Sequence, residues 1–204
     1  MLIRLLLLLL LLPVPVLAET PPVSEAGRMT WWYESPYDTA PEGVYVDAPG
    51  DYTGGVNLAP GLYSAEAAGE GVLLLSMGDE PVETYALESG AHYTVYLAEG
   101  MTLHLPEACV LRDLQRDMRF QERGDAVNIT RARYLTMLEM PGAMYEVTGL
   151  PEGEAYVMVT LLDEGESLYL PLMPGEAQLL NLQGVYDALV ELVHCSVCRE
   201  NGAG

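Results

Sequence analysis

The most compact group of reactive side chains is the run His194-Cys195-Ser196-Val197-Cys198, in a chain of 204 residues. A C-x-x-C pair does redox chemistry when its first thiol lies at a helix N-terminus, where the helix dipole stabilises the thiolate. No helix-length segment follows this pair. We therefore predict a local disulfide or unoxidised thiols. The alternative is zinc held by His194, Cys195 and Cys198, although a closed structural zinc site takes four ligands.

A second group consists of aromatic side chains. Trp31, Trp32, Tyr33 and Tyr37 lie together in a proline-broken segment, and the two tryptophans are the only ones in the chain. Flat aromatic rings stack on sugar faces or anchor protein interfaces. We predict these four residues as ligand-binding candidates. The alternative is that the segment covers an open sheet edge and buries one tryptophan, since neighbouring strand residues face opposite ways.

Catalytic constellations find little support in the sequence. The serine-nucleophile motif Gly-x-Ser-x-Gly does not occur. His92 and His104 alternate with apolar residues, which predicts strand histidines that face solvent. Carboxylates are so numerous that any fold would bring two within the range of a glycosidase pair, so their presence carries no information. We assign no catalytic residue, no metal and no cofactor, and we lean against an enzyme.

The charge balance excludes several classes of partner. Beyond residue 18 the chain carries 30 acidic residues and eight arginines, a net charge of −22, and it contains no lysine. Nucleic acids and anionic membrane surfaces are polyanions and would be repelled. A soluble extracellular protein that binds a cell-surface glycan or another protein fits this balance.

Residues 1–18 have the composition of a secretory signal peptide. Arg4 is followed by an unbroken leucine run over 5–12, and Val16 and Ala18 supply the small residues of a cleavage site. The apolar stretch is shorter than the ~20 residues that a spanning helix needs. We predict cleavage after Ala18, secretion to the bacterial surface or exterior, and no membrane span after cleavage.

The elements that would position these groups are strands. Runs such as 91–97 and 154–162 are apolar and β-branched, and glycines and prolines recur between such runs. Short apolar runs separated by turn residues predict an all-β fold of small antiparallel modules, sandwich-like or barrel-like. The segment 185–193 is ambiguous between a last strand and a C-terminal helix, and we favour the strand.

A weak internal repeat divides the chain. The run Pro-Gly-Leu-Tyr at 60–63 has a counterpart, Pro-Gly-Ala-Met-Tyr, at 141–145, and each is followed by a later Leu-x-Leu run, at 103–105 and 180–182. Proline fixes φ and glycine accepts positive φ, so each Pro-Gly pair makes a turn that begins a tyrosine-bearing strand. We predict two duplicated β modules.

These motifs resemble repeats in secreted proteins of Gram-positive bacteria, which have a Pro-Ala-Gly-x-Tyr hairpin start and a later Thr-Val-x-Leu-x-x-Gly strand. The run Tyr-Thr-Val-Tyr-Leu-Ala-Glu-Gly at 93–100 is similar to that strand. The resemblance covers roughly 53–114 and, with one residue inserted before the tyrosine, 131–193. It implies small β modules at the cell surface and implies no established activity.

Four arginines between the repeats have helical spacing. Arg112, Arg116, Arg119 and Arg123 are separated by four, three and four residues, which would place them on one helix face. We favour a solvated linker helix over a basic surface that binds an acidic partner. The predicted organisation is a signal peptide at 1–18, an aromatic lead-in at 19–52, a first module at 53–114, an Arg-rich linker at 115–130, a second module at 131–194 and a tail at 195–204.

The leading hypothesis is a secreted, acidic, non-catalytic extracellular protein that binds a ligand. One alternative is a secreted hydrolase of the glycosidase type, acting through carboxylates in a cleft between the modules. Another is a thiol or zinc protein that uses the C-terminal His-Cys-x-x-Cys run. The sequence predicts the class of protein and leaves its ligand open.

Overall fold

The computed structural model describes residues 42–115, 117–120, 125–162 and 165–200, and of Met118 only the backbone. The predicted signal peptide and the candidates Trp31, Trp32, Tyr33 and Tyr37 lie outside these ranges. Strands make up most of the described chain, which confirms the predicted all-β fold. Within those ranges, no helix combines the length and the apolar character needed to cross a bilayer.

Eight strands form the first half of the described chain, and glycines lie in several of the turns that join them. Gly78 and Gly100, for example, have φ of 61° and 74°, a conformation that costs glycine little. The strands are β1 Tyr45–Val46, β2 Gly50–Thr53, β3 Gly61–Ala67, β4 Gly71–Met77, β5 Glu80–Leu87, β6 His92–Leu97, β7 Met101–Leu105 and β8 Cys109–Asp113. Strands such as β5 and β7 alternate between buried and less buried residues, whereas β3 and β6 are buried along nearly their whole length.

Six strands and one 3-10 turn form the second half. The first and last of these strands are long, because each of them runs through both layers of this half. The strands are β9 Ala126–Leu135, β10 Met144–Gly149, β11 Ala155–Leu161, β12 Glu166–Leu172, β13 Ala177–Asn181 and β14 Ala188–Arg199, and the turn is Met118–Phe120.

The two halves have the same strand order. In the first half one layer is β1-β8-β3-β6 and the other is β2-β7-β4-β5. In the second half the start of β9 pairs with the end of β14, which pairs with β10, and β10 pairs with β13. The end of β9 pairs with the start of β14, which pairs with β11, and β11 pairs with β12. Strand β9 therefore takes the places of β1 and β2, and β14 those of β7 and β8.

Strands β3 and β10 occupy the same place in the two halves and begin with the same contact. The Tyr63 hydroxyl donates to the carbonyl oxygen of Ala59 at 2.5 Å, and the Tyr145 hydroxyl donates to that of Pro141 at 2.7 Å. Each hydroxyl pairs with a turn carbonyl while its ring is buried in a core. The tyrosine that follows each Pro-Gly pair therefore fixes the turn as well as the core.

Strand β14 passes from one layer to the other by bending at His194, whose φ is 44°. Before the bend Val190 and Leu192 face the core, and after it Cys195 and Val197 do so. The alternation of faces thus shifts by one residue. Shifts of this kind are how a strand turns a corner between two packed layers.

Each half has its own hydrophobic core, with Tyr63 central to the first and Tyr134 and Tyr145 central to the second. A smaller cluster packs between the halves. Burial of a large apolar side chain contributes about 1.5–3 kcal/mol, so this cluster stabilises the contact between the halves. Its buried members are Leu62, Tyr96, Leu135, Leu162 and Leu189.

The two halves share one ten-stranded sheet. It is continuous because β6 pairs with β9 in parallel over two residues, with His92 opposite Ala132 and Tyr93 opposite Arg133. Tyr93 faces the first core, whereas Ala132 faces the second. The first core therefore packs on one face of the shared sheet, and the second core packs on the opposite face. We call this two-residue pairing the joint.

The observed boundaries differ from the predicted ones in three places. Strand β1 lies within the lead-in predicted at 19–52, and β2 begins within it. Strand β9 begins at Ala126, inside the linker predicted at 115–130, and β14 ends at Arg199, inside the tail predicted at 195–204. The last two differences arise because β9 and β14 each span two layers, which no local pattern reveals. The favoured strand at 185–193 is confirmed from Ala188 onward.

The predicted linker helix is absent from the described part of its segment. Arg112 lies in β8 and Arg119 lies in the 3-10 turn, while Arg116 and Arg123 lie outside the described residues. The carboxylate of Asp117 accepts from the backbone N–H and from the guanidinium of Arg119, at 2.9 and 3.0 Å. Local side-chain to backbone bonds of this kind compete with helix formation.

Candidate functional site

The C-terminal thiols lie within β14 rather than in a tail. Residues three apart in a strand face opposite sides, and their Cα atoms are roughly 10 Å apart, beyond the ~7 Å limit for a disulfide. Cys195 is buried in the second core, whereas Cys198 is half-buried. The structure therefore does not bring Cys195, Cys198 and His194 together. Among the described residues, no group of three or more His, Cys, Asp or Glu side chains is arranged to hold a metal ion.

Two of the cysteines occupy equivalent places in the two halves. Cys109 lies opposite Ala67 in the β3–β8 pair, and Cys195 lies opposite Gly149 in the β10–β14 pair. Burial raises the pKa of Cys109 to about 11 and that of Cys195 to about 12. Because thiols with such pKa values stay protonated at neutral pH, these two side chains are poor nucleophiles and act as core residues.

A buried polar network lies at the joint between the halves. At its centre are His92 on β6, which is 5% exposed, and the fully buried Glu139. Nε2 of His92 lies 3.0 Å from Oε1 of Glu139, and Nδ1 lies 3.7 Å from Oε1 of Glu66. The expectation that His92 faces solvent is wrong, because the second half covers that face of β6.

The second carboxylate oxygen of Glu139 is also paired. It accepts from the Thr94 hydroxyl on β6 and from the backbone N–H of Leu135 at 2.9 Å. Hydrogen bonding of both oxygens offsets the cost of burying a carboxylate. The network thus ties β6 of the first half to the turn that follows β9 in the second.

The protonation of His92 is set by competing effects. Burial alone lowers the pKa of His92, but its hydrogen bonds to Glu139 and Glu66 outweigh burial and raise that pKa above its ordinary value. The same contact lowers the pKa of Glu66. The imidazole also stacks on the Tyr134 ring, with the centroids 4.5 Å apart. His92 therefore lies between two carboxylates at the joint, and both of them favour its protonated form.

Ser64 adds a hydroxyl to this network without making it a nucleophilic triad. Its Oγ lies 3.4 Å from Nδ1 and 3.5 Å from Nε2 of His92, so it is aligned with neither nitrogen. Ser64 is also 1% exposed, and a substrate could reach it only if the halves separated. The network is therefore structural.

On the opposite face of the joint, Arg133 of β9 reaches into the first half. Its Nη2 donates to Oε2 of Glu83 at 3.3 Å, to the carbonyl oxygen of Thr94 at 3.1 Å and to the Tyr85 hydroxyl. The guanidinium carbon lies 4.6 Å from the centroid of the Tyr85 ring, a cation–π contact. Both faces of the joint are thus closed by charged and hydrogen-bonded side chains.

A surface groove of about 610 Å³ lies beside the joint. Residues in and around β4 and β5 supply one wall, and Arg131 of β9 supplies the other. Nε of Arg131 lies 3.8 Å from Oε1 of Glu88 across the groove. The groove is therefore built by both halves. Its lining residues are Glu70, Gly71, Val72, Ala86, Leu87, Glu88 and Arg131.

Two tyrosines continue this surface across the second half. Tyr156 on β11 and Arg131 on β9 face the same side of the sheet, because both are in register with the same residue of β14. The rings of Tyr156 and Tyr169 lie 5.3 Å apart at an angle of 38°. Their hydroxyls donate to Oε1 of Glu191 at 2.8 Å and to Oε1 of Glu154 at 3.2 Å. Aromatic faces, carboxylates and a guanidinium therefore share one surface, which we call the tyrosine surface.

The other strand histidine is placed as expected. His104 of β7 lies on the outer face of the four-stranded sheet, and its side chain is 39% exposed. The prediction that His104 faces solvent is confirmed. It contacts two polar side chains that the sequence did not connect with it, Asp51 on β2 and Ser76 on β4.

Sequence reasoning missed the joint and the groove for a physical reason. His92 and Thr94 alternate with core residues along β6, and a row that faces solvent would give the same alternation. Glu139 carried the one local signal, a single carboxylate between Leu138 and Met140 in an apolar run. A carboxylate so placed is a candidate for burial with a partner.

Fold and site together define an all-β protein of two halves with one strand order and a groove where they meet. No family model matches the sequence, and no curated protein matches it. Among solved structures, the crystal structure of the PBSX exported protein XepA aligns over 78% of this chain and 81% of its own, with 13% sequence identity and a TM-score of 0.22.

Proposed function

We propose that the protein is a secreted extracellular binding protein and that it holds a neutral glycan on the tyrosine surface and in the adjoining groove. The observation that carries the proposal is the groove itself, because both halves build it and Arg131 links it to the two tyrosines. Ligand sites occur preferentially where two such units meet.

The side chains of this surface have the chemistry that a sugar requires. The rings of Tyr156 and Tyr169 offer apolar faces for the C–H side of a pyranose. The carboxylates of Glu154 and Glu191 accept hydrogen bonds, and the guanidinium of Arg131 donates them. Burial, and after it Glu191, raises the pKa of Tyr156, so its hydroxyl stays neutral and remains a donor.

The charge of the chain supports a neutral ligand. A net charge of −22 after residue 18 would repel polyanionic glycans as it would repel nucleic acid. The composition of residues 1–18 supports secretion, which would bring the protein to a surface where glycans are exposed.

Binding to an array of neutral glycans, followed by calorimetry with the best ligand, tests the proposal. Tyr156→Ala and Tyr169→Ala should each weaken binding at least about fivefold, since an aromatic stacking contact contributes about 1 kcal/mol or more. Tyr186→Ala is the matched control, because Tyr186 is 54% exposed and outside this surface. Equal losses in all three variants, or no binding by the native protein, would contradict the proposal.

Trp31, Trp32, Tyr33 and Tyr37 stay predicted ligand-binding residues. The double variant of Trp31→Ala with Trp32→Ala separates the two assignments on the same array. Loss of binding in that variant, together with native affinity in Tyr156→Ala and Tyr169→Ala, would move the ligand site to the aromatic segment. Loss in the tyrosine variants alone would keep it on the tyrosine surface.

A further inference from the structure

Three polar side chains from three strands meet on the outer face of the four-stranded sheet. Asp51 of β2 lies directly opposite His104 of β7, and His104 lies opposite Leu74 of β4. Ser76 is two residues further along β4, on the same face. This group lies apart from the groove and from the joint, and it plays no part in the proposed glycan binding.

The distances within this group order the three side chains. Oγ of Ser76 lies 3.2 Å from Nε2 of His104, and Nδ1 of His104 lies 2.6 Å from Oδ1 of Asp51. When Nδ1–H donates to Asp51, Nε2 is left as the acceptor for the serine hydroxyl. A hydroxyl, an imidazole and a carboxylate joined in this order are the parts of a serine nucleophile with its base and its orienting acid.

We propose that Ser76 is the nucleophile of an acyl-transfer site that hydrolyses small carboxylic esters with good leaving groups. His104 acts as general base, and Asp51 is a positioning residue that holds the imidazole. This activity goes beyond the proposed glycan binding and does not depend on it.

The reaction runs in two balanced steps. Oγ of Ser76 attacks the ester carbonyl carbon while Nε2 of His104 takes the hydroxyl proton. The C–O bond to the leaving group then breaks, that proton goes to the departing alkoxide or phenoxide, and Ser76 carries the acyl group. Water attacks the acyl-serine with His104 as base, the Ser76 Oγ–acyl bond breaks, and the carboxylic acid and the serine hydroxyl are restored.

The surroundings select the substrate. The side chains of His104 and Asp51 are 39% and 68% exposed, so the base and its orienting acid lie at an open sheet face. Ser76 itself is 5% exposed, which favours a small acyl group such as acetyl. Aryl acetates fit this site, because they carry a small acyl group and their leaving group needs little stabilisation.

The backbone at Ser76 is also irregular. The register of β4 against β5 shifts between Leu75 and Ser76, and Ser76 lies opposite Pro81. Such bulges re-aim a side chain and are over-represented next to active sites. The buried set of Ser64, His92 and Glu139 offers the contrast, because its hydroxyl is aligned with neither ring nitrogen.

Hydrolysis of p-nitrophenyl acetate by the protein, with labelling by a fluorophosphonate and mapping by mass spectrometry, tests the site. We expect the label on Ser76. Ser76→Ala should abolish the protein-dependent rate, and His104→Gln should lower it by about 10²–10⁴-fold, the usual contribution of a general base. Asp51→Asn should lower the rate and alter its pH profile, which a merely structural aspartate would not do.

Thr84→Ala is the matched control, because Thr84 is an exposed hydroxyl residue on the same sheet face, opposite Leu74. It should react at the native rate. Melting curves identify any variant that has lost its fold, and labelling of the native protein does not depend on any variant. An unlabelled Ser76 in the native protein, or equal hydrolysis by native protein and folded Ser76→Ala, would overturn the proposal.

Discussion

At the scale of single residues, His92 and Glu139 determine how the two halves meet. A buried ion pair adds little net stability, because desolvation cancels much of the attraction, but it penalises arrangements that leave one partner unpaired. The pair therefore makes the observed register of the joint more favourable than neighbouring registers. Arg133 does the same on the other face, where Glu83 is its partner.

Glu139→Gln should destabilise the protein by about 3 kcal/mol, because removing one partner of a buried pair leaves the other charge uncompensated. Urea denaturation followed by circular dichroism measures the change. Glu88→Gln is the control, since the Glu88–Arg131 pair is partly exposed and should cost less than about 1 kcal/mol. Similar losses in both variants would refute a special role for Glu139.

The pH dependence of stability follows from the raised pKa of His92. A raised folded-state pKa contributes stability that is fully present below the ordinary value of 6.5 and is lost as pH rises through the folded-state pKa. The stability difference between native protein and His92→Gln should therefore shrink as pH rises above 6.5. Denaturation of both proteins across that range measures it, and a difference that stays constant or grows would contradict the prediction.

At the scale of elements, β9 and β14 distinguish the second half from the first. Each replaces two strands of the first half by one strand that bends, and the bend in β14 falls on a residue with positive φ. His194 is one of three non-glycine residues with positive φ in the described chain. Its ring lies over Gly153, where an added Cβ would come within 3.2 Å of it.

His194→Val should cost about 1–2 kcal/mol, because a β-branched residue tolerates the left-handed region poorly. His194→Gly should leave stability nearly unchanged, since the easier φ offsets the lost contact with Gly153. The midpoints of guanidinium denaturation compare the two variants. If glycine destabilises as much as valine, the imidazole rather than the backbone conformation is what the site requires.

The sequence predicted the strands better than the contacts between them. The apolar, β-branched runs between recurring glycines and prolines predicted the all-β class, and the internal repeat predicted the last strand. These patterns could not reveal that the second face of β6 is covered, nor that Asp51, His104 and Ser76 converge, since both depend on the pairing of distant strands. The duplication itself stays a prediction, with the shared strand order and the equivalent Tyr63 and Tyr145 contacts in its favour.

At the scale of the whole molecule, two opposing features coexist. The chain after residue 18 carries a net charge of −22. Repulsion among the excess negative charges destabilises the compact state. The two cores and the cluster between the halves offset this repulsion. Charge of this size keeps the protein soluble at the expense of part of its stability.

Added salt should therefore stabilise the protein. The melting temperature should rise when sodium chloride increases from about 10 mM to about 0.5 M, because the screening length falls from roughly 30 Å to a few ångströms. Differential scanning calorimetry measures it, with sucrose at matched osmolality as the control for solvent exclusion. A melting temperature that falls with salt would mean that attractive ion pairs outweigh the net repulsion.

The position of β14 at the end of the chain sets the order in which the two halves can fold. Both layers of the second half need this strand, so that half closes only once the chain is available through Arg199. Apart from the pairing of β6 with β9, every strand pairing of the first half is complete at Asp113, so this half can begin to fold while the remainder is still being synthesised. During that interval β6 has not yet paired with β9, and His92 and Thr94 of β6 are uncovered. A chain interrupted before Ala188 would keep that edge open beside an unclosed core, which makes the interruption an aggregation hazard.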